Sequence, residues 1–293
     1  MKIGVSSYSF NRLMTEGKVG LMELPAIAAK MGYEAIELLN NYLPDNREVT
    51  EATFAKAAEF KAACEAAGIA VAAYLCSSNF LGEGGPEAEA EYLIRNADVA
   101  AAVGAPIMRF DACWGVDREK NLVTFERVAE YIAPSIRKVA EYAQGKGVKT
   151  CTENHGFFFQ DSDRVLHLIS TVNHKNFGAL TDMGNFLCAD EDPVHGVSNL
   201  STVAVHAHAK DFIVKKGGEF FPAGQGFLTT RGGNGIRGTI VGHGQVPVRQ
   251  CLQVLKNAGF DGTVVVEFEG VEDPMTAVEW ACANLKEIVA SLR

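Results

Sequence analysis

Four short segments in the second half of the chain end on residues able to bind a divalent cation. They read TCTENHG at 150–156, ALTDMGN at 179–185, VAVHAHAKD at 203–211 and TVVVEFEG at 263–270. Each runs through apolar or small residues and then delivers a Glu, an Asp, a His or a Glu. In an extended strand side chains alternate between two faces. Glu153 and His155 then share a side with Lys149 and Cys151, and Asp182 shares one with Leu180. His206 and His208 lie opposite Val203, Val205 and Ala207, and Glu267 and Glu269 lie opposite Val264, Val266 and Phe268. Gathered at one point, three carboxylates and an imidazole repel one another unless a positive centre sits among them. One His with three carboxylates is a hard, oxygen-rich set. It suits Mn²⁺, Mg²⁺ or Co²⁺ with open coordination positions better than a closed structural zinc site. Any one of these residues alone would be an ordinary strand-end side chain; the recurrence on four strands makes them a site.

Something must bring the four ends together. Short β-branched runs alternate with longer Ala-rich runs along the whole chain. The predicted strand and helix pairs are 3–7 with 21–31, 34–38 with 51–67, 69–75 with 86–103, and 106–110 with 125–144. They continue as 148–153 with 163–171, 178–182 with 193–200, 203–208 with 246–258, and 263–268 with 274–291. Glycines at 32, 68, 104, 147 and 259 fall where helices should stop. Eight strand-then-helix units within 293 residues imply a single-domain closed (β/α)8 barrel. Its strand ends surround one mouth, which is where the four segments would meet. One stretch breaks the rhythm: 212–244 holds ten glycines, too many for a helix, and is long for a connection. It reads as a Gly-rich active-site loop over the mouth, carrying Arg231, Arg237 and His243.

The bulk composition narrows the partners. A net charge of −9 and a pI near 5.3 argue against a nucleic-acid surface, and no basic run suits an anionic membrane. Seven scattered Cys without a CxxC pair suggest reduced thiols in a cytoplasm. The start, MKIGVSSYSF, lacks the apolar core of a signal peptide, and no stretch approaches the ~20 apolar residues of a membrane span.

The segments ENHG, TDMGN, HAHAKD and VVVEFEG, with Gly-His-Gly at 242–244, resemble the xylose isomerase-like TIM barrels, the sugar phosphate isomerases and epimerases that include ketose 3-epimerases and inosose-processing enzymes. The resemblance covers essentially the whole chain. It implies a metal held by Glu153, Asp182, His208 and Glu267, with Glu269 as an alternative of the same parity. The ion it implies is Mn²⁺ first, with Mg²⁺, Co²⁺ or Zn²⁺ as alternatives. It also implies that Glu153 and Glu267 exchange protons with substrate, and that His155 stands beside the metal as a substrate contact or base. Substrate-binding roles follow for Glu37 at the second strand end, Arg109 at the fourth and Trp114 as a stacking wall. Asn185 would touch a hydroxyl, and His206, Arg237 and His243 complete the set. Lys210 and Asp211 would pair with each other or with nearby loops.

The activity so implied is isomerisation or epimerisation of a ketose or keto-polyol through an enediolate. The same intermediate can lose a β-substituent, so a lyase or dehydratase on a keto-sugar, keto-glycoside or inosose is the close rival. Endonuclease IV-type repair shares the barrel but needs further His ligands, and this chain has no His before position 155. A barrel that binds sugar without catalysis is a fourth reading. The partner is a small sugar or polyol, non-phosphorylated by preference. Family members are often dimers or tetramers, which leaves a homo-oligomer open.

Overall fold

A computed structural model describes residues 1–222 and 224–293. Eight parallel strands close into a barrel: β1 (Lys2–Ser6), β2 (Ala35–Leu39), β3 (Ala70–Cys76), β4 (Ile107–Phe110), β5 (Lys149–Glu153), β6 (Phe177–Asp182), β7 (Ala204–Ala209) and, late in the chain, β11 (Thr263–Val266). Each strand pairs with its sequential neighbour, and β11 closes the ring between β7 and β1. The helices are α1 (Asn11–Thr15), α2 (Leu24–Met31), α3 (Glu51–Ala67), α4 (Gly85–Val103), α5 (Phe125–Gly145), α6 (Ser162–Val172), α7 (Pro193–Leu200), α8 (Val248–Asn257) and α9 (Pro274–Ala290). The expected strand and helix order of the eight units holds, and boundaries move by at most three residues. Gly32, Gly68 and Gly104 end α2, α3 and α4 in the left-handed conformation that a β-carbon disfavours. Asp161, Asp192 and Asp273 cap the starts of α6, α7 and α9 with their side chains.

Core packing is double. Helix faces bury residues such as Phe60, Leu93, Ile136, Leu168 and Leu285 against the outward side of the strands. Inside the barrel, small residues from three strands, Ala35, Ala72 and Val265, form a separate cluster. Above that apolar plug the interior turns polar, with Glu37, Glu153, Asp182, His206 and His208 all fully or nearly fully buried. The register slips once in the β2–β3 pair, between Ile36 and Glu37, and once in the β6–β7 pair, between Ala179 and Leu180. Irregularities of this kind re-aim side chains near sites, and here they adjoin Glu37 and the strand that ends on Asp182.

The 212–244 stretch is not the structureless loop its composition suggested. It carries most of an antiparallel sheet, β8 (Asp211–Lys215), β9 (Leu228–Thr229) and β10 (Gly235–Thr239), in the order β8–β10–β9. Composition misled because the pairing of β8 with β10 is long-range. Among the described residues no helix is long and apolar enough to cross a membrane. All seven cysteines are buried free thiols.

Candidate metal centre and active site

The chain brings Glu153, Asp182, His208 and Glu267 together at the ends of β5, β6, β7 and β11. One ligand atom from each lies within 4.8 Å of all the others. His208 Nδ1 stands 3.7 Å from each of Glu153 Oε1, Asp182 Oδ2 and Glu267 Oε2. Ligand atoms ~2.0–2.2 Å from a common ion would be spaced on this scale.

Local structure aims each atom. Asp182 accepts backbone N–H bonds from Gly184 (2.8 Å) and Asn185 (2.9 Å) on Oδ1, while buried Oδ2 has no hydrogen-bond partner. Gly184 is required there, because a β-carbon would lie 2.8 Å from the Lys210 carbonyl oxygen. Asn154 rivets β5 to β6: its amide donates to the Asp182 carbonyl, and its side-chain oxygen accepts from the Asp182 N–H. His208 donates from Nε2 to Glu37, at 3.0 and 3.1 Å from the two carboxylate oxygens, leaving buried Nδ1 unpartnered. A carboxylate behind an imidazole fixes the ring and its tautomer for metal binding. Two unpartnered buried atoms, Asp182 Oδ2 and His208 Nδ1, thus face one point among three carboxylates. Burying such groups without a partner is costly, so the residues present fit a divalent cation.

Two cations of the chain already touch this set. Arg109 pairs with Glu153 Oε2 and with Asp111 Oδ1 (3.1 Å). Lys210 Nζ lies 2.5 Å from Glu267 Oε2, 3.5 Å from Asp182 Oδ2 and 3.4 Å from Glu269 Oε2. Burial pushes the Glu153 carboxyl up, only partly opposed by Arg109 and His208. Burial acts on Glu267 too, but Lys210 and His208 outweigh it and hold that carboxyl well below the usual range. For His208 burial disfavours the charged ring, yet Glu37 and Glu267 override it and raise the ring well above its ordinary value.

A cavity of about 180 Å³ opens above these groups, walled by Tyr8, Asn41, Ser77, Arg109, Asp111, Trp114 and His155 and floored by Glu153, Lys210, Glu267 and Glu269. His155 faces Asp111, its Nδ1 2.8 Å from Oδ1, and Trp114 packs edge-on against the ring at 5.2 Å. Burial would lower His155, but Asp111 prevails and raises it. A larger cleft of about 370 Å³ lies between the appended sheet and α7, lined by Leu187, Asp190, Val214 and Ile236 among others. It contains none of the candidate ligands, whereas Glu153 and Glu267 line the smaller cavity.

Several residues expected at substrate sit elsewhere. Glu37 and His206 are wholly buried beneath His208 and bonded to each other, so neither reaches the cavity. Asn185 is buried and directs its amide to Glu153 Oε1 (3.0 Å), while its oxygen faces Lys210 (3.3 Å). Arg237 lies in β10 with its guanidinium over the Phe227 ring, outside the cavity. His243 is exposed beside Trp280 of α9, with ring centres 6.0 Å apart. Arg231 ties the appended sheet to Asp161 at 2.7 Å. Lys210 and Asp211 do not pair: Asp211 accepts from the N–H groups of Gly242, Gly244 and Val246. Sequence reading missed Asp111, Asn154 and Tyr8. Asp111 carried a signal, since it lies two residues past Arg109 on the same side of the extended chain.

Comparison with known proteins agrees with this architecture. The chain is 23% identical over 160 residues to an inosose dehydratase of Geobacillus thermodenitrificans, covering 54% of this chain and 52% of the relative. The chain thus spans about half the length of the curated relatives it matches. A xylose isomerase-like TIM barrel protein from Mycobacterium smegmatis, solved in complex with magnesium, superposes with a TM-score of 0.74 at 16% identity, over 100% of this chain and 98% of that one. A D-psicose 3-epimerase from Clostridium cellulolyticum, solved with D-tagatose, gives a TM-score of 0.73 at 15% identity over 100% of both chains. At such identities the likeness is one of fold. The sequence model for the xylose isomerase-like TIM barrel matches residues 25–288, and the chain belongs to that family.

Proposed function

We propose that the protein is a divalent-metal-dependent isomerase or epimerase that works through an enediolate on a ketose or keto-polyol. The supporting observation is the pair Glu153 and Glu267, each with an oxygen 3.7 Å from His208 Nδ1 and with opposite protonation tendencies. Titratable groups whose surroundings drive them apart mark acid and base roles. In the metal-free barrel Glu153, pushed up by burial, is the stronger base of the two, and Glu267, held down by Lys210 and His208, is the weaker and stays ionised. A cation held by Glu153, Asp182, His208 and Glu267 would supply the Lewis acidity that makes the C–H beside a substrate carbonyl removable. One of the two carboxylates takes that proton and the other returns one. Return to the opposite face of the same carbon epimerises, and return to the neighbouring carbon, with the hydroxyl proton passing between the two oxygens, isomerises. Arg109, between Glu153 and Asp111, keeps the Glu153 carboxyl oriented. Trp114 and Tyr8 wall the cavity and limit water around the reacting carbon.

A second reading has its own observation. The Asp111–His155 pair adds a third proton-transfer group to the cavity, one that a two-carboxylate exchange does not require. Placed to protonate a leaving hydroxyl or aglycone, it favours elimination, the chemistry named for the dehydratase relatives. The metal-loaded protein, incubated in D₂O with a panel of ketoses and keto-inositols, separates the two. A product of unchanged composition carrying one carbon-bound deuterium supports isomerisation or epimerisation, and a product short of water or of an aglycone supports the lyase. Absence of both deuterium uptake and product from the whole panel would refute the proposal, as would full turnover by Glu267→Gln.

A further inference from the structure

Arg109 and Lys210 both neutralise candidate metal ligands, but they do so at different oxygens. Arg109 contacts Glu153 at Oε2, whereas the oxygen of Glu153 nearest His208 Nδ1 is Oε1. Lys210 contacts Glu267 at Oε2 and Asp182 at Oδ2, the very oxygens that stand 3.7 Å from His208 Nδ1. A cation bound by the four ligands would therefore leave the Arg109 pair in place and claim the Glu267 oxygen that Lys210 holds, with the Asp182 oxygen beside it. Two positive centres on one carboxylate oxygen repel strongly in a buried site. Lys210 has somewhere to go: Glu269 Oε2 is 3.4 Å away, outside the four-ligand set, and the Tyr8 hydroxyl donates to Oε1 of the same carboxylate.

We propose that Lys210 is an internal competitor for the metal: its ammonium occupies the metal-facing oxygen of Glu267, with that of Asp182 within reach of its charge, until a divalent ion displaces it toward Glu269. The inference rests on the metal site of the preceding section. Three buried carboxylates without an ion would repel one another, and Lys210 spares the empty barrel that cost. It does so at the expense of metal affinity. Metal loading would also turn the ammonium toward the substrate cavity, which Lys210 already lines, so a cation for a substrate oxygen becomes available only once the ion is in place.

The test is calorimetric titration of the EDTA-stripped, dialysed protein with MnCl₂, with thermal melting of the metal-free protein alongside. Lys210→Met keeps the length of the side chain and removes its charge. It is expected to bind Mn²⁺ about tenfold more tightly or better and to melt at a lower temperature than wild type when metal-free. Lys210→Gln, which can still donate to a carboxylate, provides the measurement if the Met variant does not fold. Wild-type Mn²⁺ binding with equal or weaker affinity in the variants overturns the competitor role and leaves the proposed function standing. No Mn²⁺, Mg²⁺, Co²⁺ or Zn²⁺ binding by any of the three proteins overturns both.

Discussion

Replacing Glu37 by Gln isolates the charge behind the candidate ligand His208. The carboxylate is fully buried, and both of its oxygens lie within hydrogen-bonding distance of Nε2, at 3.0 and 3.1 Å. Burial would raise its pKa, yet the facing His208 and His206 hold it at about 2, so it is ionised at any working pH. Gln keeps an acceptor for Nε2–H and nearly the same shape but removes the negative charge. The imidazole becomes a poorer donor to the metal, and the amide N–H₂ group must also find a place beside His206. Loss of such a partner typically costs 10–100-fold in metal affinity, about 1.4–2.7 kcal/mol. The upper half of that range is expected here, because no solvent reaches the pair to screen the lost charge. Titration calorimetry with Mn²⁺ measures the change directly, and metal-free melting of the variant checks that the barrel is intact. A Kd within twofold of wild type in a folded variant would show that Glu37 does not act on the metal through His208, and the assignment of Nδ1 as the ligand atom would fall with it.

The remaining perturbations address protons, the cavity wall and the appended sheet. Without metal, the raised His208 contributes stability that is complete below the unfolded-state value of ~6.5 and is lost as pH rises through its higher folded value. The melting temperature in EDTA should therefore fall as pH rises above about 6.5, and saturating Mn²⁺ should abolish the fall; a metal-free melting temperature that rises instead contradicts the charge arrangement. Mn²⁺ binding must displace the same protons, so the apparent affinity should increase with pH, with proton release visible as a dependence on buffer ionisation enthalpy. Asp111→Asn should leave metal affinity within a few-fold and, if elimination is the reaction, lower turnover by about 10²-fold, in the range for a mispositioned acid–base group. Metal affinity falling in step with turnover would place Asp111 in the metal site instead. Arg231→Ala removes a partly exposed ion pair with Asp161 and should cost no more than ~1 kcal/mol in global stability. It should nevertheless speed limited proteolysis within 216–234, and unchanged cleavage would mean that the sheet does not depend on this tether.

What the sequence disclosed and what it hid follow from the range of the interactions involved. Period-two alternation is local, so Glu153, His155, Asp182, His206, His208, Glu267 and Glu269 could be read as facing one side of four strands; the narrower set Glu153, Asp182, His208 and Glu267 came from the family resemblance. The same alternation carries Lys210 inward two residues beyond His208, away from its neighbour Asp211; of the two pairings expected, Asp211 makes the one with a nearby loop, at 242–246. Glu37 and His206 were legible as inward but not as mutually bonded, because their contact spans 169 residues and leaves both without access to the cavity. The bond between Asp111 and His155 bridges 44 residues and depends on how two separate loops fold back over the barrel mouth. The appended sheet was hidden for a different reason: glycines that usually signal freedom here permit close packing, as where a β-carbon on Gly238 would lie 2.3 Å from the Glu269 carbonyl oxygen.

Strand β7 ends at Ala209 and β8 begins at Asp211, so a single residue separates the barrel from the sheet appended to it. That residue is Lys210. The backbone on its C-terminal side is clamped by the 242–246 turn through Asp211, and its side chain rests on the ligand carboxylates. The appended sheet is thus a lever whose short arm lies at the candidate metal. Lengthening, shortening or repacking β8 turns Lys210 directly and retunes the site without altering any of its four ligands. Selection, natural or in the laboratory, could therefore adjust the metal from a surface that never touches it.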